Sequence, residues 1–379
     1  MVRNNMPRIL LLDAQANTML NFRGEFIRAL VRDGYSVTVA TADSNPDVAK
    51  RLSEGGVSVC CIPFERAGMN PFADILSLYK IYVSLKKLQP DIFLGVTIKP
   101  STLGVIAARL AGVPRRMALI TGLGYAFTDG PEFKRSIARI AARWIYKFGL
   151  RFTQTTIFQN EDDRALFVKT GLIQEGRATR VNGSGVNLEE FALLPMPPRP
   201  FTFLMISRLL KDKGVREYVG AARIIKRLHP QTRFMLVGAR DQNPTAIAQD
   251  ELQNWIDEGV VEYGGSVADV RPAIAACHVF VLPSYYREGI PKTLMEALAM
   301  GRPIITTHTP GCRETVKCGL NGLLVPARDV NALAAAELEL LKSSEQTLMC
   351  YGAESRSLAE EKFDVNIVID QLRAVLNLP

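Results

Sequence analysis

The sequence predicts an α/β chain made of two Rossmann-like units with parallel sheets. Three observations carry this reading. Short apolar runs alternate with helical segments from end to end, a proline-rich stretch interrupts the alternation near the middle, and 379 residues exceed what one core usually organises. With 47% hydrophobic and 22% charged residues, the composition is that of a folded chain.

In the first half, strands are expected near Arg8–Leu12, Ser36–Ala40, Val57–Ile62, Asp91–Val96, Arg116–Ile120 and Thr155–Gln159, separated by helical segments such as Phe22–Arg32 and Phe72–Leu88. In the second, strands near Phe203–Ile206, Arg233–Val237, Val260–Tyr263, Val279–Leu282 and Ile304–Thr306 repeat the scheme. The stretch Leu194-Pro195-Met196-Pro197-Pro198-Arg199-Pro200 can continue neither pattern and is expected to mark the hinge. The expected domains are therefore 1–194 and 195–363, followed by a last helical segment, 364–379.

Between Pro283 and Gly301 one carboxylate, Glu296, stands alone in an otherwise apolar helix. Burying it unpaired would cost roughly several kcal/mol, so its oxygens are expected to accept hydrogen bonds from something the helix alone does not supply. Hydroxyls of a sugar would suit. Glu288 lies eight residues earlier in the loop that feeds the helix, followed by Gly289, Ile290 and Pro291, the proline in the favoured first-turn position before Lys292 and Thr293. Backbone N–H groups and the positive end of the helix dipole beside two carboxylates form a place to hold a phosphate. A capped surface helix with two solvated acids has the same spacing, and spacing alone does not separate the two.

The loop follows a short apolar run, residues 277–284, that reads as a buried parallel strand, and ligands of open α/β sheets bind at such carboxyl ends. Eighty residues earlier, Phe201–Ile206 ends in Ser207-Arg208-Leu209-Leu210-Lys211-Asp212-Lys213-Gly214 and again runs into a helix. Arg208 as a planar fork and Lys213 as a point charge would suit a diphosphate. Basic residues at solvated helix starts have the same appearance.

Joined together, these segments resemble a family-4 retaining glycosyltransferase of the GT-B fold, whose members carry a Glu-x7-Glu motif and an upstream Arg…Lys pair. Gly-Ser-Gly-Val-Asn-Leu-Glu-Glu-Phe (183–191) is similar to the family's interdomain segment. Gly301-Arg302-Pro303-Ile304, Gly311-Cys312-Arg313-Glu314 and Asn321-Gly322-Leu323-Leu324-Val325 are similar to its C-terminal landmarks. The resemblance implies two Rossmann-like domains facing each other across a cleft, with the last helix crossing back to the first. It implies that Arg208 and Lys213 bind the diphosphate of a nucleotide-sugar donor, UDP in the first instance, that Glu288 meets the transferred sugar, and that Glu296 meets the ribose. It further implies same-face attack in which the leaving phosphate accepts the acceptor's proton, with Glu288 a positioning group; a covalent nucleophile is the other reading. Arg208, Lys213 and the helix N-terminus could stabilise the leaving group without a metal, and the chain has no Asp-x-Asp element. No cofactor is expected.

On the acceptor side, Asn21-Phe22-Arg23-Gly24-Glu25 resembles the family's glycine-containing loop, in which Gly24 would admit the donor phosphates; an ordinary helix start fits equally. Thr97-Ile98-Lys99-Pro100 and Ile120-Thr121-Gly122-Leu123-Gly124-Tyr125 resemble bacterial members that extend undecaprenyl-diphosphate-linked sugars. Thr121 and Gly122 stand where many members place a histidine, so no role can be given to that histidine here. Lys99 is a candidate for the acceptor's diphosphate, or a plain surface lysine.

Residues 1–198 hold 25 Lys+Arg against 17 Asp+Glu, whereas 199–379 hold 21 of each, so the net charge of +8 belongs to the first half. That asymmetry points to an anionic partner. Over Phe133–Phe152, Arg135, Arg139, Arg143, Lys147 and Arg151 recur every four residues, a stripe drifting about 40° per step on a helix. Ile137, Ile140, Ala141, Trp144, Ile145 and Phe148 form the complementary face. Two readings stand: an element on an anionic membrane surface, with Arg135, Arg139, Arg143, Trp144 and Lys147 in contact, or a core-packed helix with a solvated basic face. No nucleic-acid motif accompanies the charge.

Six cysteines without a C-x-x-C, and three histidines, give neither a disulfide scaffold nor a zinc site. The N-terminus precedes only a five-residue apolar strand, too short for a signal segment or a span. The expectation is a cytoplasmic protein, peripheral to the inner face of the plasma membrane. A dehydrogenase is disfavoured because Leu12-Asp13-Ala14-Gln15-Ala16-Asn17 contains no glycine. A nucleotide-sugar 2-epimerase of the same architecture and a transferase with a soluble acceptor remain the alternatives.

Overall fold

The computed structural model describes residues 6–65, 70–123, 143–241, 243 and 245–377. The chain divides into two compact units, Met1–Ser184 with Val368–Pro379, and Gly185–Ile367. In the first unit run β1 (Arg8–Asp13), α1 (Ala16–Arg32), β2 (Ser36–Thr41), α2 (Pro46–Glu54), β3 (Ser58–Cys61), α3 (Pro71–Leu88) and β4 (Ile92–Val96). A π-helical turn (Pro100–Gly104) then leads into α4 (Val105–Ala111), followed by β5 (Arg115–Ile120), α5 (residues 143–150), β6 (Thr155–Phe158), α6 (Glu161–Lys169) and β7 (Ala178–Arg180). The strands are all parallel in the order β3-β2-β1-β4-β5-β6-β7. The order reverses between β1 and β4, the switch point of the sheet.

The second unit holds β8 (Thr202–Ile206), α7 (Val215–Leu228), β9 (Arg233–Val237), α8 (Gln249–Asp257), β10 (Glu262–Tyr263), α9 (Arg271–Ala275), β11 (Val279–Leu282), α10 (Lys292–Ala299), β12 (Ile304–Thr307), β13 (Gly322–Val325), α11 (Val330–Lys342) and α12 (Glu345–Leu358). Its sheet is parallel in the order β10-β9-β8-β11-β12-β13, with the reversal between β8 and β11. A last helix, α13 (Val365–Val375), begins in the second unit and passes into the first, where Arg373 pairs with Asp33 at 2.7 Å. The continuous apolar character of the strands follows from this arrangement, because helices cover both faces; β1 from Ile9 to Leu12 and all of β8 and β11 are buried.

Two strands were not expected. β7 is three residues, Ala-Thr-Arg, with no apolar run to mark it. β13 opens on Gly322, which reads as a loop, yet a Cβ there would lie 1.9 Å from the Ile304 carbonyl oxygen, so only glycine lets this strand pair with β12. The proline-rich stretch, expected as the hinge, lies inside the second unit. Arg302, fully buried, donates to the carbonyls of Leu194 (3.3 Å) and Pro195 (3.0 Å) as well as to Ile274 and Ala275, and so ties the stretch down.

Glu337 on α11 is fully buried, and among the described residues neither carboxylate oxygen has a hydrogen-bond partner. Burial pushes its pKa well above the usual carboxylate value. The folded state therefore binds this proton more tightly than the unfolded chain, and the associated stability is present below about pH 4.5 and lost as pH rises toward the folded value. Glu337→Met is expected to stabilise the protein at both pH 4 and pH 7.5 by removing an unsatisfied buried polar group, worth about 1–3 kcal/mol, and to stabilise it more at pH 7.5, where the unfolded chain releases the proton that the folded state holds. Urea midpoints at the two pH values check this; an equal effect at both would contradict it.

Candidate active site

Four adjacent strands of the second unit, β9, β8, β11 and β12, end in loops that meet at the switch point. The loop after β8 carries Arg208 and then a 3₁₀ turn, Lys211–Lys213. The loop after β11 carries Ser284 and Glu288. The two are joined through the Asp212 carbonyl, which accepts from the amides of Tyr285 and Tyr286 at 2.9 Å each. Gly214 makes this approach possible: its φ is +80°, and a Cβ would stand 2.2 Å from the Pro283 carbonyl oxygen.

The result is a compact polar cluster. Lys213 Nζ lies 2.5 Å from Glu288 Oε2, and the Ser284 hydroxyl donates to Glu288 Oε1 at 2.8 Å. Both charged side chains are nearly covered, at 11% and 15% exposure, so their attraction acts in a low-dielectric setting. Lys213 also stands over the Tyr286 ring, 5.6 Å from its centre. Arg208 is half exposed, and its Nη1 lies 2.8 Å from Asp241 Oδ2 in the loop after β9. The loop after β12 closes the cluster from the other side: Thr307 and Thr309 donate to the Ser284 carbonyl, and Gly311 (φ +80°) packs where a Cβ would lie 1.7 Å from the Gly289 carbonyl oxygen.

Residues 288–291 then enter α10. Ile290 is buried, and Pro291 is the residue before the helix rather than inside its first turn. Glu296 is 5% exposed, and its partner is a correction to expectation: the helix itself supplies Lys292, whose Nζ lies 3.2 Å from Oε1 one turn earlier. Burial raises the pKa of Glu296, and Lys292 opposes the rise.

In the first unit, Asp13 ends β1, and Thr97, Lys99, Thr121 and Gly122 follow the carboxyl ends of β4 and β5, again around the switch point. Asp13 is buried, accepts from Thr18 at 2.7 Å and from Thr97 at 3.3 Å, and faces the buried guanidinium of Arg23. Burial raises the Asp13 pKa and lowers that of Arg23 to about 10. Thr97 holds a left-handed φ of +71°. The cation expected at Lys99 is engaged: its Nζ lies 2.7 Å from Asp74 and 3.8 Å from Glu65. Gly24 sits in the interior of α1, which begins at Ala16 rather than near Phe22, and a Cβ there would make only ordinary contact with the Arg28 side chain.

Of the basic stripe, Arg135 and Arg139 lie outside the described residues. Arg143, Trp144 and Lys147 are exposed on α5. Of the complementary face, Ile137, Ile140 and Ala141 lie outside the described residues; Trp144 is 68% and Phe148 53% exposed and Ile145 is partly covered, while Tyr146 and Leu150 enter the core.

Known proteins similar to this chain include glycosyltransferases. The description "Glycosyl transferase 4-like" matches residues 8–160 and "Glycosyl transferases group 1" matches residues 200–343. The N,N'-diacetylbacillosaminyl-diphospho-undecaprenol alpha-1,3-N-acetylgalactosaminyltransferase of Campylobacter jejuni is 29% identical over 375 residues, 95% of this chain and 96% of that one. The UDP-Gal:alpha-D-GlcNAc-diphosphoundecaprenol alpha-1,3-galactosyltransferase of Escherichia coli is 28% identical over 276 residues, 69% of each. Among solved structures, a sucrose-phosphate synthase from Thermosynechococcus elongatus aligns with TM-score 0.81 at 18% identity, covering 98% of each chain. Anabaena HepE in complex with UDP-glucose aligns with TM-score 0.76 at 20% identity, covering 98% of this chain and 99% of that one. The two parallel α/β units and the likeness to these solved structures give the GT-B fold, and the family matches make the chain a glycosyltransferase. The chain belongs to the group 1, 4-like glycosyltransferases.

Of the residues named from sequence, Lys213 and Glu288 are brought together and Arg208 is placed at the same strand ends. Sequence reasoning missed Asp241, Ser284 and the glycines that close the loops. Gly214 and Gly311 both stood in quoted motifs, and a glycine directly after a polar strand-end loop was the available signal.

Proposed function

We propose that the chain is a retaining glycosyltransferase that moves a hexose or N-acetylhexosamine from a UDP-sugar to an undecaprenyl-diphosphate-linked sugar, in the assembly of a cell-surface glycan. The observation that carries this is the covered Lys213–Glu288 pair at the β8/β11 switch point with Arg208 beside it. Lys213 and Arg208 would hold the diphosphate, and Glu288 would accept hydrogen bonds from the sugar hydroxyls. Glu296, on α10 after the Glu288 loop, would hold the ribose. The bond from the anomeric carbon to the diphosphate oxygen breaks, the acceptor oxygen bonds to that carbon on the same face, and its proton passes to the leaving phosphate. Negative charge grows on the leaving group, and fixed cations in a covered setting stabilise that growth. The reading requires neither metal nor cofactor. The acceptor class rests on the names of the Campylobacter and Escherichia relatives, at 29% and 28% identity.

The protein is placed at the inner face of the plasma membrane, on an anionic surface, because a polyprenyl-linked acceptor cannot leave the bilayer. Among the described residues no helix is long and apolar enough to cross it. UDP release from a panel of UDP-sugars, with and without the lipid-linked acceptor and with EDTA, tests the reading. Acceptor-dependent release that survives chelation is expected. Conversion of the donor without acceptor would favour a 2-epimerase, and loss on chelation with recovery on adding magnesium or manganese would overturn the metal-free account.

Glu296→Ala is expected to weaken binding of UDP itself, whereas Glu288→Ala should leave UDP binding nearly unchanged and lower turnover. Calorimetry with UDP alone separates them, and equal losses in the two variants would contradict the assignment.

A further inference from the structure

The first unit carries an apolar surface that its core does not use. Along α3, Phe72, Ile75, Leu76, Tyr79 and Val83 are 85%, 67%, 53%, 60% and 45% exposed. At 100° per residue these five fall within about 100° of one another, opposite Ser77, Ile81 and Leu85, which are buried. Lys86 and Lys87 are exposed and continue the same stripe at its C-terminal end. A surface helix usually turns polar residues outward; α3 is apolar on both sides. A contiguous apolar surface with charged residues at its margin marks an interaction face.

Its neighbours extend it. Ile81 and Leu85 of α3, Ala107 and Ala108 of α4, and Tyr146 and Leu150 of α5 join one core with Leu10, Phe93 and Ala118 of the sheet, so the three helices cover the same sheet face. On their outer sides stand Leu110 (59% exposed) beside exposed Arg109, and Trp144 and Phe148 among Arg143 and Lys147. Aromatic and aliphatic side chains interleaved with lysine and arginine, in the half of the chain that holds all the excess positive charge, match the interface of an anionic bilayer. The N-terminal end of α3 is tied to the carboxyl end of β4 by the Asp74–Lys99 pair at 2.7 Å. A bilayer resting on the stripe would therefore lie beside the strand ends of the first unit.

We propose that the stripe Phe72, Ile75, Leu76, Tyr79 and Val83 inserts into the headgroup boundary of an anionic bilayer, making α3 the main membrane-holding element of the protein. This rests on the reading of a lipid-linked acceptor. The test uses the full chain and vesicles of phosphatidylcholine alone or with phosphatidylglycerol. The wild type should sediment with the anionic vesicles. The Ile75→Gln, Tyr79→Gln double variant should bind them at least tenfold more weakly, while its thermal midpoint and its turnover with a soluble short-chain acceptor stay unchanged. Tyr79→Trp should bind like the wild type and gain a fluorescence component quenched by shallow nitroxide lipids. Vesicle binding unchanged in the double variant, or a solution dimer of the wild type that the double variant abolishes, would overturn the proposal. Transfer to a soluble acceptor by a wild type that ignores all vesicles would sink this inference alone and leave the catalytic reading standing.

Discussion

Lys213→Ala is expected to lower kcat by about 10²–10³, equivalent to about 2.7–4 kcal/mol, in line with removal of a preorganised charge donor from other active sites. The side chain is only 11% exposed and stands 2.5 Å from Glu288, so water cannot readily replace its charge. Removing it also takes the cation from Glu288. Part of the measured loss is therefore expected to belong to the pair, and a cycle with Glu288→Gln should show losses well short of additive. Arg208→Ala should cost about 2–4 kcal/mol of transition-state stabilisation by the same mechanism, nearer the lower end because its guanidinium is half exposed beside Asp241. Turnover within threefold of wild type in both variants would remove the leaving-group role assigned to these cations.

Gly311→Ala should damage stability and activity together. Its φ of +80° costs an L-residue about 1–2 kcal/mol, and the added Cβ would lie 1.7 Å from the Gly289 carbonyl oxygen and 3.0 Å from that of Glu288. The loop carrying Glu288 must then move, and overpacking of this kind typically costs about 1–3 kcal/mol more. The comparison is Gly319→Ala, where φ is +77° and nothing stands within 4 Å. That variant should lose only the backbone share, about 1–2 kcal/mol, and keep its turnover. Urea midpoints and kcat for the pair decide the matter: equal stability losses with unchanged kcat in both would mean that the Gly311 contact does not position Glu288.

The alternation of strands and helices was legible because buried parallel strands are nearly pure apolar runs, as in Val279–Leu282 and Thr202–Ile206. The strand-end loops were legible because polar residues directly after such runs stand at the sheet's carboxyl edge. What could not be read was partnership across strands. Asp241 reaches Arg208 only through the β8–β9 pairing, and Asp74 neutralises Lys99 only through the packing of α3 against the π-helical turn after β4. Periodicity found an apolar face on α5 but could not say that the core would take Tyr146 and Leu150 and leave Trp144 and Phe148 outside. The helix holding Gly24 was expected from Phe22 but starts at Ala16, directly after the β1 loop, because the polar residues Asn17, Thr18 and Asn21 hid the first turns. The α3 stripe was hidden for the opposite reason, since a helix apolar on two faces gives no amphipathic signal.

The central claim is same-face transfer onto a lipid-linked acceptor sugar, and the anomeric configuration of the product tests it most directly. With an α-linked UDP-sugar and an undecaprenyl-diphosphate-linked acceptor, NMR of the released oligosaccharide should show a new α-linkage and no free epimerised sugar. A β-linkage, or an epimerised donor with no extended acceptor, would contradict the account.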